Sequence, residues 1–266
     1  MLLMQALDPS VDGQSILHEA DPRLKLVGLV AFVVAASFVP RGAALGHGGM
    51  LLLVILAVAA SRLPLAAVLS RAAPALLFAT TVAVSALLQT RGEEYVAFRL
   101  LWLRLAIGPY GVSRFLDILA RSWLCGLLIG VHIAVTPFRD TVLALRALGV
   151  PETLTSVLAL LYRYLAVLLD EGLRMERARD SRTLRNPSLR RVSSQARVAG
   201  SMLGSLFLRA YGRSERVYQA MLSRGYAGDM LSLTALRWTR RDSLCLAVWG
   251  AGLCAATAVS LLWGVT

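Results

Sequence analysis

Residues 151–185 read PETLTSVLALLYRYLAVLLDEGLRMERARDSRTLR, and the reading of this stretch decides the fold. Pro151 suits the start of a helix, and Glu152 behind it complements the positive end of the dipole. Leu154, Val157, Leu158, Leu161, Leu165, Leu168 and Leu169 then recur at helical spacing as one apolar stripe. Residues 153–169 have nearly the length of a membrane span, but Arg163 stands at their centre. Past Asp170 the same helix turns polar, with Arg174, Glu176, Arg177, Arg179, Asp180, Arg182 and Arg185, until Asn186-Pro187 breaks it. The stretch is therefore expected to be one long amphipathic helix whose apolar half lies at or near the membrane interface.

A second long helix is predicted from Ser188. It carries Leu189, Val192, Ala196, Ala199, Leu203, Leu206 and Ala210 on one face. Ala196, Gly200 and Gly204, beside Ser201 and Ser205, make that face small, which lets two helix backbones approach closely. The expectation is a pair of long helices crossing tightly at these three residues. Upstream, residues 138–148 read as a short amphipathic helix ended by Gly149-Val150-Pro151.

The rest of the chain is far more apolar. Of 266 residues 57% are hydrophobic, and the excess gathers into blocks long enough to cross a hydrocarbon core of about 30 Å. Spans are expected at 24–39 (ended by Pro40-Arg41-Gly42), 43–60, 73–88, 115–136 (closed by Pro137) and 242–264. Residues 61–71 read as a short loop, and residues 89–114, punctuated by glycine and proline, as irregular or interfacial. The first twenty residues carry Asp8, Asp12 and Glu19 and no basic run, so the spans themselves are expected to direct insertion. The fold class is thus all-α and polytopic, with about five membrane helices. It divides into a membrane region 1–136, a helical region 137–241 and a last span within 242–266.

Charge orients it. Net charge is +12, and Lys25 is the one lysine among 28 basic residues. Residues 137–241 hold 18 basic and 8 acidic side chains, a net +10, which places them on the cytoplasmic side. Five spans then put the N-terminus in the cytoplasm of a cell whose inner membrane the chain crosses. The phospholipid bilayer is its first partner. Basic charge of this size also suits nucleic acid, but in a membrane chain it points to topology and anionic headgroups, so no nucleic-acid partner is expected.

Catalytic chemistry is hard to find. No phosphate-binding loop, metalloprotease helix, nucleophile elbow or dinucleotide fingerprint occurs. His18, His47 and His132 are scattered, and Cys125, Cys245 and Cys254 sit in apolar stretches as small buried hydrophobes. Neither set has metal-site spacing. Asp117 and Arg121 stand four apart and are expected to pair on one helix face, and His132 to be a packed polar residue. An enzyme working at the membrane face would have Asp170, Glu171 and Glu176 as its candidate acids or bases.

One pattern recurs. Ser181-Arg182-Thr183 ends the first long helix and Ser223-Arg224-Gly225 the second. An arginine between small residues protrudes, and suits an acidic groove on a partner. Equally, it suits a solvated helix end whose cation complements the dipole.

Resemblance weights the choice. Residues 213–226, from Arg213 through Glu215, Arg216, Met221, Ser223, Arg224 and Gly225 to Tyr226, resemble the second coupling motif of the transmembrane (T) components of energy-coupling-factor importers. Asp21-Pro22-Arg23-Leu24-Lys25-Leu26, Thr136-Pro137 and Leu145-Arg146-Ala147-Leu148-Gly149-Val150-Pro151 are similar to further parts of that family. Residues 176–183 occupy the place of its first motif, and Ala178-Arg179-Asp180 is a competing alignment there. Residues 220–226 look most like the Q subunits of cobalt and nickel uptake systems, the CbiQ type.

The resemblance implies a non-catalytic subunit without a cofactor or metal ligand of its own. Its tips Ser181, Arg182, Thr183, Ser223, Arg224 and Gly225 would dock on a pair of ABC-type ATPase subunits. A separate membrane subunit would bind the cobalt or nickel ion. A vitamin-type importer is the nearer alternative, and an enzyme acting on a lipid or phosphorylated substrate the more distant one. The family's motif triplet is Ala-Arg-Gly-like; here Ser stands first in both, and Thr183 replaces glycine in one.

Overall fold

The computed structural model describes residues 15–40, 43–87, 96–100, 103–107, 109–182, 192–228, 236 and 238–263. In chain order the elements are α1 (Ile16–Glu19), α2 (Pro22–Phe38), α3 (Ala44–Ser61), α4 (Leu65–Leu87), β1 (Val96–Leu100), β2 (Leu103–Ile107), α5 (Pro109–Val135), α6 (Phe138–Ala147), α7 (Glu152–Arg182), α8 (Val192–Leu222) and α9 (Arg240–Trp263). The all-α polytopic expectation holds, apart from the antiparallel β1–β2 hairpin, which pairs Val96 with Ile107. The described residues fall into two compact units, one built from α1–α5, most of α6 and α9, the other from α7 and α8.

In the first unit, prolines and caps place the helix ends. Asp21 caps α2, its Oδ1 accepting from the Arg23 backbone N–H at 2.9 Å with Pro22 at the first helical position. Asp21 N–H in turn donates to Asp242 Oδ1 at 3.3 Å, joining the starts of α2 and α9. Residues 65–71, expected as loop, are already helical, because Pro64 sits where its missing N–H costs nothing and its carbonyl accepts from Ala67 at 2.9 Å. Pro74, inside α4, leaves its two halves bent by 55° instead of starting a span. Likewise α5 starts at Pro109, six residues before the expected boundary, and Val96–Leu100 and Leu103–Ile107 pair as strands where irregular chain was expected.

Packing in this unit is close. Phe32, Met50 and Val54 are almost wholly buried, and Trp249 Nε1 donates to the Gly28 carbonyl at 3.1 Å with its ring 6.2 Å from that of Phe32. A Cβ on Gly130 of α5 would lie 2.9 Å from the Val68 carbonyl oxygen of α4, and one on Gly126 3.2 Å from Leu76. The outer faces are apolar: Leu52, Leu77, Phe78, Val248 and Leu262 are all more than half exposed, as a lipid-facing surface requires. Cys245 and Cys254 also lie exposed on α9, which corrects their placement as buried hydrophobes; an apolar residue of a spanning helix can face lipid instead of core.

Among the described residues, Gly111–Val135, Glu152–Arg182 and Arg240–Leu262 are long and apolar enough to cross a membrane, and the bent pair Ala66–Pro74 with Leu76–Ala86 makes a fourth. Leu45–Ser61 is shorter, and α2, at 17 residues, is about 26 Å long. The chain is a multi-pass membrane protein. Two of its five expected spans are a turn short, and the apolar half of α7 has the make-up of a span although Arg163 lies exposed on it.

Candidate functional site

α7 and α8 are each 31 residues, about 46 Å of continuous helix. α7 begins where α6 ends: Gly149 adopts φ +94°, Val150 N–H bonds the Leu145 carbonyl and Gly149 N–H that of Arg146. α8 ends in the same way. Gly225 adopts φ +81°, Tyr226 N–H bonds the Met221 carbonyl at 3.0 Å, and Gly225 N–H bonds that of Leu222 at 3.0 Å. This pair of bonds is the Schellman cap, which makes Arg224 the cap residue and explains the Arg-Gly order: a side chain at 225 would be strained in the left-handed region. Arg224 is exposed and forms no ion pair among the described residues.

At the other tip, Ser181 and Arg182 form the exposed last residues of α7, and Thr183 lies outside the described residues. The competing alignment there is already engaged. Arg179 reaches Asp180 at 2.7 Å and Glu176 at 3.8 Å, while Ser181 Oγ donates to the Ala178 carbonyl. Arg182 makes no ion pair among the described residues.

The contact between α7 and α8 departs from expectation. Ala196, Gly200 and Gly204 are exposed, and nothing lies within 4 Å of a Cβ built on either glycine, so the crossing does not run through them. It runs instead through Met175 and Ser205, whose Oγ lies 3.4 Å from the sulfur, and through Glu171 and Arg209 at 2.5 Å. The side chains of Met175 and Arg209 are too large for the tight approach that glycines permit. Glu171 also meets Arg174 at 3.2 Å, and the hydrogen bond from Arg209 holds its carboxyl below the usual glutamate range. Two arginines thus occupy one of the three carboxylates, Asp170, Glu171 and Glu176, that an enzyme at the membrane face would have as acid or base. Arg213 and Arg216 lie along the same cleft.

The Glu171–Arg209 link was not expected from sequence, though it leaves a signal there. Glu171 continues the stripe Leu161, Leu165, Leu168 by three residues, and Arg209 follows Leu203 and Leu206 in the same way. The stripe itself faces outward in this chain, with Leu154, Val157 and Leu161 more than half exposed. Arg121 takes a role that its spacing from Asp117 does not announce: Nη2 donates to the Val39 carbonyl at 2.9 Å, capping the C-terminus of α2. Among the described residues no three His, Cys, Asp or Glu side chains converge as a metal site.

Residues 13–234 match the cobalt transport protein family, CbiQ. The chain belongs to that family. The transmembrane protein EcfT of the energy-coupling factor transporter from Limosilactobacillus fermentum is 30% identical over 248 residues, covering 90% of this chain and 91% of that one. The nickel permease LarQ of Lactiplantibacillus plantarum is 29% identical over 174 residues, 57% of this chain and 62% of the permease. An uncharacterized protein of Methanocaldococcus jannaschii, MJ1571, is 38% identical over 95 residues, 36% of this chain and 32% of its own length. The CbiQ-family chain therefore spans under two thirds of these last two relatives, but nearly all of EcfT. Both long helices, and the Arg224 cap after the second, lie within the residues that match the family.

Proposed function

We propose that this chain is the coupling subunit of an ATP-driven importer of cobalt or nickel ions, with Arg182 and Arg224 as its contacts to a pair of ATPase subunits. One observation carries the reading: Arg224 is presented on a glycine-dependent cap at the end of a 31-residue helix, exposed and without an ion-pair partner among the described residues. Ser181, Ser223 and Gly225 flank the two guanidiniums with little bulk, and Thr183 belongs to the first tip by sequence. Arg182 is favoured over Arg179 there because Arg179 is held by Asp180.

In this scheme ATP-driven movement of the ATPase pair displaces both tips, and the α7–α8 contact carries the motion as a unit. A metal-binding membrane subunit covers the outward stripe Leu154, Val157 and Leu161, which otherwise meets lipid. The arginine excess in residues 137–241 supports tips on the cytoplasmic side of the inner membrane, and five spans would bring the N-terminus to the same side. Nickel stands beside cobalt because one relative is named a nickel permease. ATP hydrolysis belongs to the partner chains.

The test is metal accumulation in cells expressing the whole transporter. Arg224→Glu should abolish ATP-dependent cobalt and nickel uptake while the protein still reaches the membrane. Uptake at the parental rate would end the proposal.

A further inference from the structure

Between α7 and α8 lies a cleft of about 290 Å³ lined by Leu168, Glu171, Leu206, Arg209, Arg213 and Arg216. Its charges do not balance. Among the described residues, Glu171 is the one carboxylate in the lining and already serves Arg209 and Arg174, whereas Arg213 and Arg216 make no ion pair. The three guanidiniums and one carboxylate of this lining leave a net +2. That many cations held together on one helix call for a further anion with several acceptor oxygens.

The other wall says what kind of anion. Val167, Leu168, Leu206 and Leu208 give the cleft an apolar side, and the apolar half of α7 ends at Leu169, two residues before Glu171. On α8, Phe207 and Leu208 are about 70% exposed and Tyr211 is 60% exposed, interleaved with Arg209 and Arg213. Aromatic side chains among arginines, at the point where an apolar helix turns polar, are the pattern of the headgroup layer of a bilayer.

We propose that this cleft binds an anionic phospholipid, its phosphodiester bridging Arg213 and Arg216 and its acyl chains lying along Leu168, Leu206 and Leu208. The Glu171–Arg209 pair holds the two walls at their spacing. The bound lipid then belongs to the α7–α8 contact itself. This holds whether or not the arginine tips dock on an ATPase, and its test uses the purified chain alone.

The full-length chain, delipidated in detergent, is titrated with phosphatidylglycerol or phosphatidylcholine, and bound lipid is counted by native mass spectrometry. Phosphatidylglycerol should be retained preferentially. Arg213→Gln and Arg216→Gln should each weaken it about fivefold, and the double variant about 30-fold, with phosphatidylcholine unchanged. Arg197→Gln, on an exposed stretch of the same helix, should change it less than about twofold. The lysine pair Arg213→Lys with Arg216→Lys keeps the charge and should retain most of the binding, which separates loss of the site from loss of fold. Equal phosphatidylglycerol binding by the glutamine double variant would overturn the proposal. So would displacement of the lipid by millimolar glycerol phosphate, which would make this a site for a free anion.

Discussion

Gly126 and Gly130 on α5 and Gly200 and Gly204 on α8 share the same four-residue spacing. Yet a methyl group at Gly130 would stand 2.9 Å from a backbone oxygen of α4, and one at Gly200 or Gly204 of α8 would meet no neighbouring helix within 4 Å. Spacing permits a close helix approach but does not cause one. In the membrane unit the small residues meet neighbouring helices of the same chain, as Gly46 and Gly49 of α3 also do against Ser260 and Ala256 of α9. In the α7–α8 unit Met175, Glu171 and Arg209 reach across, with Ser205 the one small residue among these contacts, and Ala196, Gly200 and Gly204 are left outward. The first unit closes on itself, while the second presents surfaces and two arginine tips.

This contrast can be broken most readily by size. Gly130→Leu forces a side chain against backbone and should destabilise the purified chain by about 3 kcal/mol, whereas Gly204→Leu should cost nothing and gain up to about 0.8 kcal/mol through helix propensity. Thermal unfolding in detergent measures both, and similar losses would put a hidden contact at Gly204. Next comes Gly225→Ala, where space is open but the left-handed φ is not, at a cost of about 1–2 kcal/mol confined to the cap. Faster amide exchange at Tyr226, with the membrane unit unchanged, is the expected signature. Gly200→Ala should move the other way, raising stability by up to about 1 kcal/mol through helix propensity alone.

The smallest effect concerns pH. Because Arg209 lowers the Glu171 pKa, their link is fully present above the usual glutamate value of about 4.3 and is lost as pH falls through the lower folded value. Spin labels at the exposed positions 177 and 201 should report a broader distance distribution only below the usual glutamate value of about 4.3. Glu171→Gln should show that same broadening at pH 7, and a wild-type distribution that broadens already at pH 6 would point to another group.

Much of this was legible in the sequence, for reasons that differ by element. The long helices follow from the period of Leu154 to Leu169 and from the caps at Pro151 and Gly225, since local geometry there depends on local residues. The start of α4 was not legible: Arg62, Pro64 and Arg71 look like a loop until Pro74 is seen to sit within a bent helix. The β1–β2 hairpin was hidden because mixed residues with flanking glycines resemble irregular chain. The glycine face of α8 misled for a deeper reason, since periodicity gives a face but not what covers it. Arg182 and Arg224 stood out by sequence, while the cap that positions Arg224 and the bridge that occupies Arg179 needed coordinates.

The most direct measurement on the coupling reading is co-purification of the tagged chain with the ATPase subunits of its own transporter. Wild type and Arg197→Glu should retain them, Arg182→Glu should lose a share, and Arg224→Glu should lose them with its helical content and membrane insertion intact. Full retention by Arg224→Glu, or an equal loss with Arg197→Glu, would contradict the assignment of the capped arginine as the point of contact.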